Sequence, residues 1–403
     1  MEKKYGSWQQ FTPLLPGDVH MDRLHDMTQP ILTATAKLTH TAHSTARDAL
    51  RALVRNMNSY YSNLIEGQST SPYYIDRALA KNFSEQPDIA RRQRIAIAHI
   101  QAETELERIA AATPQATMTA DFIQDAHAQL YSRLDPEDRR LDAPPHQIVA
   151  PGTFRTVEVT VGRHLPPVPA SIPEFLTAFS RAYMHERTWE WRLIAIACAH
   201  HRMAWIHPFP DGNGRATRLQ THVALYPLTG GLWSVNRGLA RNKERYYEYL
   251  AGADRPRAGD LDGRGNLSER GLVRWVEFFL EMCRNQAEYM ASLYDLDGMN
   301  TRIGALVQYR MAMEKPKGVN YAGMRTEAAL PLRYLFGTGP MTRKEFVQAT
   351  GLNDRTARNL LRYLLAEGYV TSDSDRGPLR FGLPLRAVDM LLPKLYQGSE
   401  AGQ

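Results

Sequence analysis

Residues 207–218, HPFPDGNGRATR, admit few backbone paths and so constrain the fold more than any other stretch. Gly212 and Gly214 flank Asn213, so the backbone can take positive φ angles there and turn successive N–H groups inward as a nest for phosphate oxygens. A helix opens directly behind, and its N-terminal end adds partial positive charge that favours the same anion. Arg215 and Arg218 stand three residues apart in its first turns, hence on one face. They can grip a polyphosphate with charge-assisted bonds worth about 1.5–3 kcal/mol each. His207, at the loop entrance, can accept a hydroxyl proton as a neutral imidazole, and Asp211 offers the carboxylate that Mg²⁺ takes beside a triphosphate. No Gly-Lys-Ser/Thr follows, so this is not a Walker A loop. Taken singly, such a histidine is structural, such a loop a turn and such arginines solvent-facing; in this order within twelve residues they read as a nucleotide site.

The segment resembles the Fic family motif, HxFx(D/E)GNGRxxR, at every defined position. The resemblance implies an enzyme, a protein adenylyltransferase that moves AMP from ATP to a Ser, Thr or Tyr hydroxyl of a target protein or of itself. ATP and Mg²⁺ are the implied cofactors. The implied fold is mainly α, a helical bundle with a β-hairpin flap. In this sequence His207 would be the general base, Asp211 the Mg²⁺ ligand, Gly212, Asn213 and Gly214 the phosphate nest, Arg215 and Arg218 the phosphate clamp, and Phe209 the anchor of the loop. Gly152, Thr153, Phe154, Arg155 and Thr156, followed by Val159, Val161, Gly162, Arg163 and His164, look like the flap, which would hold the target's backbone by strand addition. Residues 199–206 look like the family's helix before the motif. Its neighbours His200 and His201 point about 100° apart, so they cannot easily share an ion with His207, and at least one is structural. Tyr246 and Tyr247 resemble a pair that lines the adenine pocket in relatives, although paired tyrosines on a helix also serve as plain core.

Far upstream, Ser62 to Gly67 fit the family's inhibitory pattern (S/T)xxxE(G/N), whose glutamate, here Glu66, pairs with the second motif arginine, Arg218. A carboxylate on Arg218 removes a cation from the γ-phosphate site and puts negative charge where the triphosphate must sit. By itself the same string is a helix end with a glycine stop. The glutamate can also position water for removal of AMP, as some relatives do.

Four parts are expected: residues 1–114, an N-terminal helical arm carrying Glu66; 115–285, the Fic core; 286–320, a helical linker; and 321–403, a winged helix-turn-helix domain. The first 40 residues, with prolines at 13, 16 and 30, read as an irregular arm. Three- and four-residue spacing predicts helices over 44–66, 87–112 and 119–131, and again over 173–205 and 267–294. Residues 143–173 hold seven prolines and alternate Val157, Val159 and Val161 with polar residues, as a hairpin or flap would. The most linker-like stretch is 313–323. After it, helices over 341–350 and 354–367 and short strands at 369–371 and 379–381 give the winged pattern.

Arg355, Arg358 and Arg362 form one basic stripe on the second of those helices, suited to duplex DNA, to a protein partner or simply to solvent. The whole chain carries 49 Lys and Arg against 43 Asp and Glu over 403 residues, a +6 balance too mild to choose between nucleotide and nucleic acid. Cys198 and Cys283 read as buried thiols of a reducing compartment. The N-terminal residues lack a secretory apolar segment and no run approaches the roughly 18 apolar residues of a membrane span, so no membrane partner is expected and the cytoplasm is. A homodimer stays open. So do two other functions: a nucleotide-sensing, DNA-binding regulator, and a transferase of this fold using another diphosphate-containing donor.

Overall fold

The computed structural model describes residues 5–141, 147–162, 164–185, 187–313 and 323–396. Arg163 of the expected flap and most of the linker-like stretch, including the boundary at 320, lie outside the described residues. The described residues group into two compact units, one drawn from 1–33 and 58–286, the other from 34–57 and 287–403. This differs from a four-part division along the chain, because α1 (Met21–Thr41) and α2 (Ser44–Ile65) each run from one unit into the other.

Helix α1 corrects the expectation of an irregular arm, which holds only as far as two short 3₁₀ turns at Trp8–Phe11 and Asp18–His20. Leu24, Thr28, Ile31, Thr35 and Leu38, spaced four and three apart, are at most 2% exposed. Two of those five are threonines, so the stripe does not stand out as apolar, and Pro30 sits inside the helix where it normally breaks one.

The first unit continues with α3 (Pro72–Leu79), α4 (Pro87–Ala112), α5 (Ala120–Tyr131), α6 (Ile172–Tyr183), α7 (Trp189–Ile206), α8 (Asn213–Thr229), α9 (Asn236–Arg241), α10 (Lys243–Ala253) and most of α11 (Glu269–Leu293), whose last residues, from 287, belong to the second. Pro87 at the first position and Pro114 beyond the last bound α4 where expected. Thr119 caps α5 by accepting a hydrogen bond from the Phe122 N–H. Helix α8 is the axis of this unit. It packs against α4, α5 and α7, and every residue from 215 to 225 is buried. Ala98, Ala102 and Ala110 of α4 let that helix approach closely, and Phe122, Ala126, Leu130, Leu219 and Val223 fill the shared core. The helix predicted over 173–205 is two helices, α6 and α7.

The flap is less regular than expected. Among the described residues its only pairing is one antiparallel bridge, Val161 with His164, around Gly162 at φ +60°, and no strand forms over 157–161. Val157 is 57% exposed, and alternation without a neighbouring strand has nothing to pair with.

In the second unit α12 (Leu296–Met313) packs on α13 (Ala329–Gly337) and α16 (Leu385–Leu391); α14 (Arg343–Thr350) packs on α15 (Asp354–Ala366). Strands β1 (Val370–Thr371) and β2 (Arg380–Phe381) pair antiparallel, Val370 opposite Phe381. The expected order of helix, turn, helix and two-stranded ribbon is present. A capping box at Thr342 and Glu345 starts α14, Gly351 at φ +65° ends it, and Asn353 caps α15. No helix of the described residues is long and apolar enough to cross a membrane. Cys198 and Cys283 are free and buried.

Candidate active site

The motif loop joins α7 to α8. His207 ends α7 in the left-handed conformation, φ 49°, ψ 61°, which turns the chain sharply toward Phe209. Asn213 then closes the loop on itself: its Oδ1 accepts from the Phe209 N–H and its Nδ2 donates to the Phe209 carbonyl, both at 2.8 Å. Thus the side chain of Asn213, beyond its place in the nest, sets the loop's shape. Phe209 is fully buried and stacks on His127 at 3.9 Å, which stacks on Tyr131 at 4.2 Å. The Gly152 N–H donates to His127 Nδ1, which leaves Nε2–H to donate to the Asp211 carbonyl at 3.1 Å. Gly212 must be glycine twice over, since its φ is +77° and a Cβ would lie 2.4 Å from the Tyr131 ring.

Both motif arginines are nearly fully buried and both are engaged. Arg215 donates to the Tyr131 hydroxyl at 2.7 Å and to Asp211 Oδ2 at 3.1 Å, while the Tyr131 O–H donates to the same Oδ2 at 2.6 Å. Burial pushes the Asp211 carboxyl up, but Arg215, Tyr131 and the Gly212 N–H together hold it below its ordinary value. It therefore stays ionised, and its side chain is 50% exposed. A half-exposed single carboxylate at the foot of an anion nest fits Mg²⁺, which completes its shell with phosphate oxygens and water.

Arg218 reaches back to the end of α2. Its Nε donates to Ser62 Oγ at 3.0 Å, and its Nη2 to the Ser62 carbonyl at 3.1 Å and to Glu66 Oε1 at 2.5 Å. Glu66 is aimed by the way α2 stops: Gly67 at φ +72° donates to Leu64 and Gln68 to Asn63, the paired bonds of a Schellman cap. A Cβ on Gly214 would lie 2.3 Å from Glu66 Oε1, so the carboxylate rests on the first turn of α8, where an anion is best stabilised. Burial alone would raise the Glu66 carboxyl, but the charge and hydrogen bond of Arg218, with Arg215 behind, hold it below the ordinary range.

His207 is pushed down to about 4, chiefly by burial, with His164 and Arg155 adding to the shift and a backbone hydrogen bond to Ala204 opposing it. It is neutral at pH 7, the form that accepts a proton. Arg155 fixes the loop from the flap side: its Nε donates to the His207 carbonyl at 2.8 Å, its Nη2 to the Pro167 carbonyl at 2.5 Å, and its N–H to the Pro208 carbonyl at 2.9 Å.

The remaining expected residues divide. Val161 and Gly162 are exposed and Val159 partly so, whereas His164 is tied inward with its Nε2 2.7 Å from the Trp205 carbonyl. His200 and His201 are both structural. The first bonds Thr221 and Tyr246 in the core, and the second bonds the Leu250 carbonyl and Asp254. Tyr246 is 3% exposed and its hydroxyl bonds His200 in the core; Tyr247 is 46% exposed, its ring beside that of Tyr246. Arg355, Arg358 and Arg362 are exposed on α15, in the other unit, with Arg358 pairing Asp354. Tyr131 and His127 were not singled out in the sequence, and Arg155 was expected there only as part of the flap. Tyr131 reads there as one apolar-face residue of a helix, and only its hydroxyl, aimed at residues 80 and 84 positions away, marks it.

The sequence profile of the Fic/DOC family matches residues 117–225, the span from the start of α5 through most of α8. The protein adenylyltransferase Fic of Nematostella vectensis is 27% identical over 248 residues, 60% of this chain and 51% of that protein. That of Culex quinquefasciatus is 27% identical over 134 residues, 33% of this chain and 24% of that protein. The chain thus matches about half the length of the first and a quarter of the second. Among solved structures, Fic-1 (residues 134–508) from C. elegans shares the fold, with a TM-score of 0.52 at 18% identity over 70% of this chain and 74% of that one. Profile and relatives converge on the stretch that holds the loop, so residues 117–225 of this chain are similar to the Fic/DOC family, and the fold is that of Fic-1.

Proposed function

We propose that this chain is a protein adenylyltransferase, moving AMP from ATP to a Ser, Thr or Tyr hydroxyl of a target protein or of itself, and that Glu66 restrains it through Arg218. The observation that carries this reading is a neutral His207 at the mouth of a loop whose helix N-terminus and buried arginines suit a polyphosphate. A nucleotide sensor has no need of that base. The name of the curated relatives supports the same activity. In the reaction the acceptor oxygen attacks the α-phosphorus while His207 takes the hydroxyl proton; the bond to the bridging oxygen breaks and pyrophosphate leaves with the electron pair. Arg215 holds phosphate oxygens, as does Arg218 once Glu66 withdraws, and Arg155 keeps the His207 backbone in place. Mg²⁺ bound at Asp211 supplies neutralisation of the phosphate charge. Exposed Val161 and Gly162 are the edge offered to the target backbone. Free, buried cysteines suit the cytoplasm, where ATP and Mg²⁺ are at hand.

Intact-mass spectrometry after incubation with ATP and Mg²⁺ tests this. Glu66→Gly should gain AMP faster than wild type, and Glu66→Gly with His207→Ala should gain none. Equal incorporation by all three overturns the proposal. Mixing AMP-modified Glu66→Gly protein with wild type would reveal removal of AMP by Glu66-positioned water as loss of the added mass.

A second reading, DNA docking through the other unit, is favoured by the exposure of Arg355, Arg358 and Arg362 along α15 in a winged-helix arrangement. Phosphate contacts by these arginines make binding fall steeply with salt. A gel shift that shows no salt-dependent binding to duplex DNA assigns that unit to protein contacts.

A further inference from the structure

Helix α5 presents His127 and Tyr131 four residues apart, on one face, and both reach Asp211. His127 Nε2 bonds the Asp211 carbonyl at 3.1 Å, and the Tyr131 O–H bonds its carboxylate at 2.6 Å. Both rings are locked by packing. Tyr131 is 1% exposed, 4.2 Å from the His127 ring, with the Arg215 guanidinium 5.4 Å over it and Gly212 so close that a Cβ there would strike it. The His127 ring is wedged between Tyr131 and Phe209, and its Nδ1 is held by the Gly152 N–H. One helix thus grips both the backbone and the carboxylate of Asp211, which otherwise sits half exposed on a loop. Outer contacts of this kind orient a metal ligand before the ion arrives.

The hydrogen bonds divide unevenly between the two carboxylate oxygens. Tyr131 and Arg215 both donate to Oδ2, and among the described residues no side chain bonds Oδ1. The Tyr131 oxygen also accepts from Arg215 Nη2 at 2.7 Å, closer than the 3.1 Å between that nitrogen and Oδ2. A guanidinium and a carboxylate placed four residues apart, as here, otherwise close into a fork of two parallel bonds that takes up both oxygens. The hydroxyl bonded to both partners prevents that closure. Oδ1 is left unclaimed by side chains, and the buried Nε of Arg215 has no hydrogen-bond partner. An unsatisfied buried donor on a cation is costly, and a phosphate oxygen satisfies it with a charge-assisted bond.

We propose that Tyr131 is a positioning residue whose hydroxyl keeps Asp211 and Arg215 from closing on each other, leaving Oδ1 for Mg²⁺ and the arginine for the phosphates of the nucleotide. The inference rests on the reading of Asp211 as the Mg²⁺ ligand, and it concerns binding rather than transfer. The test uses full-length Glu66→Gly, His207→Ala protein, which has neither the brake nor the base. Calorimetric titration with ATP in Mg²⁺, and again in EDTA, gives a ratio of affinities that measures what the metal contributes. That ratio should be about tenfold or more in this protein, and Tyr131→Phe should bring it close to one, as Asp211→Asn does. A merely structural role weakens both titrations alike and leaves the ratio where it was, which overturns the proposal. A ratio of one before Tyr131 is changed overturns it as well. Should Tyr131→Phe fail to fold, a crystal structure of the starting protein with ATP and Mn²⁺ decides. The ion on Oδ1 with Tyr131 still bonded to Oδ2 supports the proposal, and an ion that displaces Tyr131 from Oδ2 overturns it. AMP transfer by Glu66→Gly together with an unchanged ratio in Tyr131→Phe defeats this inference alone. A ratio lost in Tyr131→Phe without transfer by Glu66→Gly defeats the transferase reading alone.

Discussion

Replacing Glu66 isolates one charge. Glu66 Oε1 lies 2.5 Å from Arg218 Nη2, while Ser62 holds the guanidinium independently through its hydroxyl and carbonyl, so Arg218 keeps its direction when the carboxylate goes. A hydrogen bond between charged groups contributes about 1.5–3 kcal/mol net. The Glu66 side chain is 32% exposed, so solvent screening puts this pair near the lower end. At about 1.4 kcal/mol per decade, freeing Arg218 should tighten ATP binding roughly ten- to thirtyfold. Calorimetric titration with ATP and Mg²⁺ in a His207→Ala background, where transfer is blocked, reads this directly. Glu66→Gln separates charge from bulk. The amide fills the same space without the negative charge, so it should recover a substantial part of the gain. If Glu66→Gly binds ATP within about threefold of the parent, the ion pair does not oppose the nucleotide. If Glu66→Gly tightens binding and Glu66→Gln does not, the obstruction is steric rather than electrostatic.

Ser62→Ala removes the acceptor of Arg218 Nε inside the core and should lower stability by about 1–3 kcal/mol, read as a reduced urea midpoint at constant slope. Gly212→Ala should abolish ATP binding even with Glu66→Gly, because the left-handed φ and the Tyr131 ring both exclude a methyl group; retained binding would show that the loop bends freely. Burial lowers the pKa of His200 to about 3 and those of His127 and His207 to about 4, against an ordinary 6.5. The unfolded chain therefore takes up these protons first as pH falls. Stability is fully present above about pH 6.5 and is lost on acidification toward pH 4, by up to about 1.4 kcal/mol per pH unit for each histidine. Urea unfolding at about pH 7 and about pH 5 checks this, and His200→Gln should flatten the slope.

Much of the helical framework was legible because its signals are local. Helix α4 starts at Pro87, stops before Pro114, and lies where its spacing put it. Helix α1 was not legible. Two threonines interrupt its buried stripe and Pro30 mimics a breaker, while burial of the other positions keeps the helix intact. The valines at 157, 159 and 161 alternate as a strand would, yet a strand exists only where another pairs with it, and here one bridge does. Helices α13 and α16 came without strong caps or clean periodicity, and their packing on α12, which lies within the expected helical linker, defines them.

For the site the division follows distance along the chain. The sequence by itself determined the loop, the nest and the helix start, because Gly212, Asn213 and Gly214 specify backbone angles and hydrogen bonds within a few residues. It also singled out Glu66 as the partner of Arg218, through a pattern rather than a force. Only the tertiary structure decided that Arg218, 152 residues on, is held jointly by Ser62 and Glu66, that Tyr131 couples Asp211 to Arg215, and that Glu103 and Glu107 meet His222. Conformational preference acts between neighbours in sequence, whereas charge pairing and ligand geometry act through space. The packing of α4, α5 and α7 around α8 is what brings those distant groups within reach.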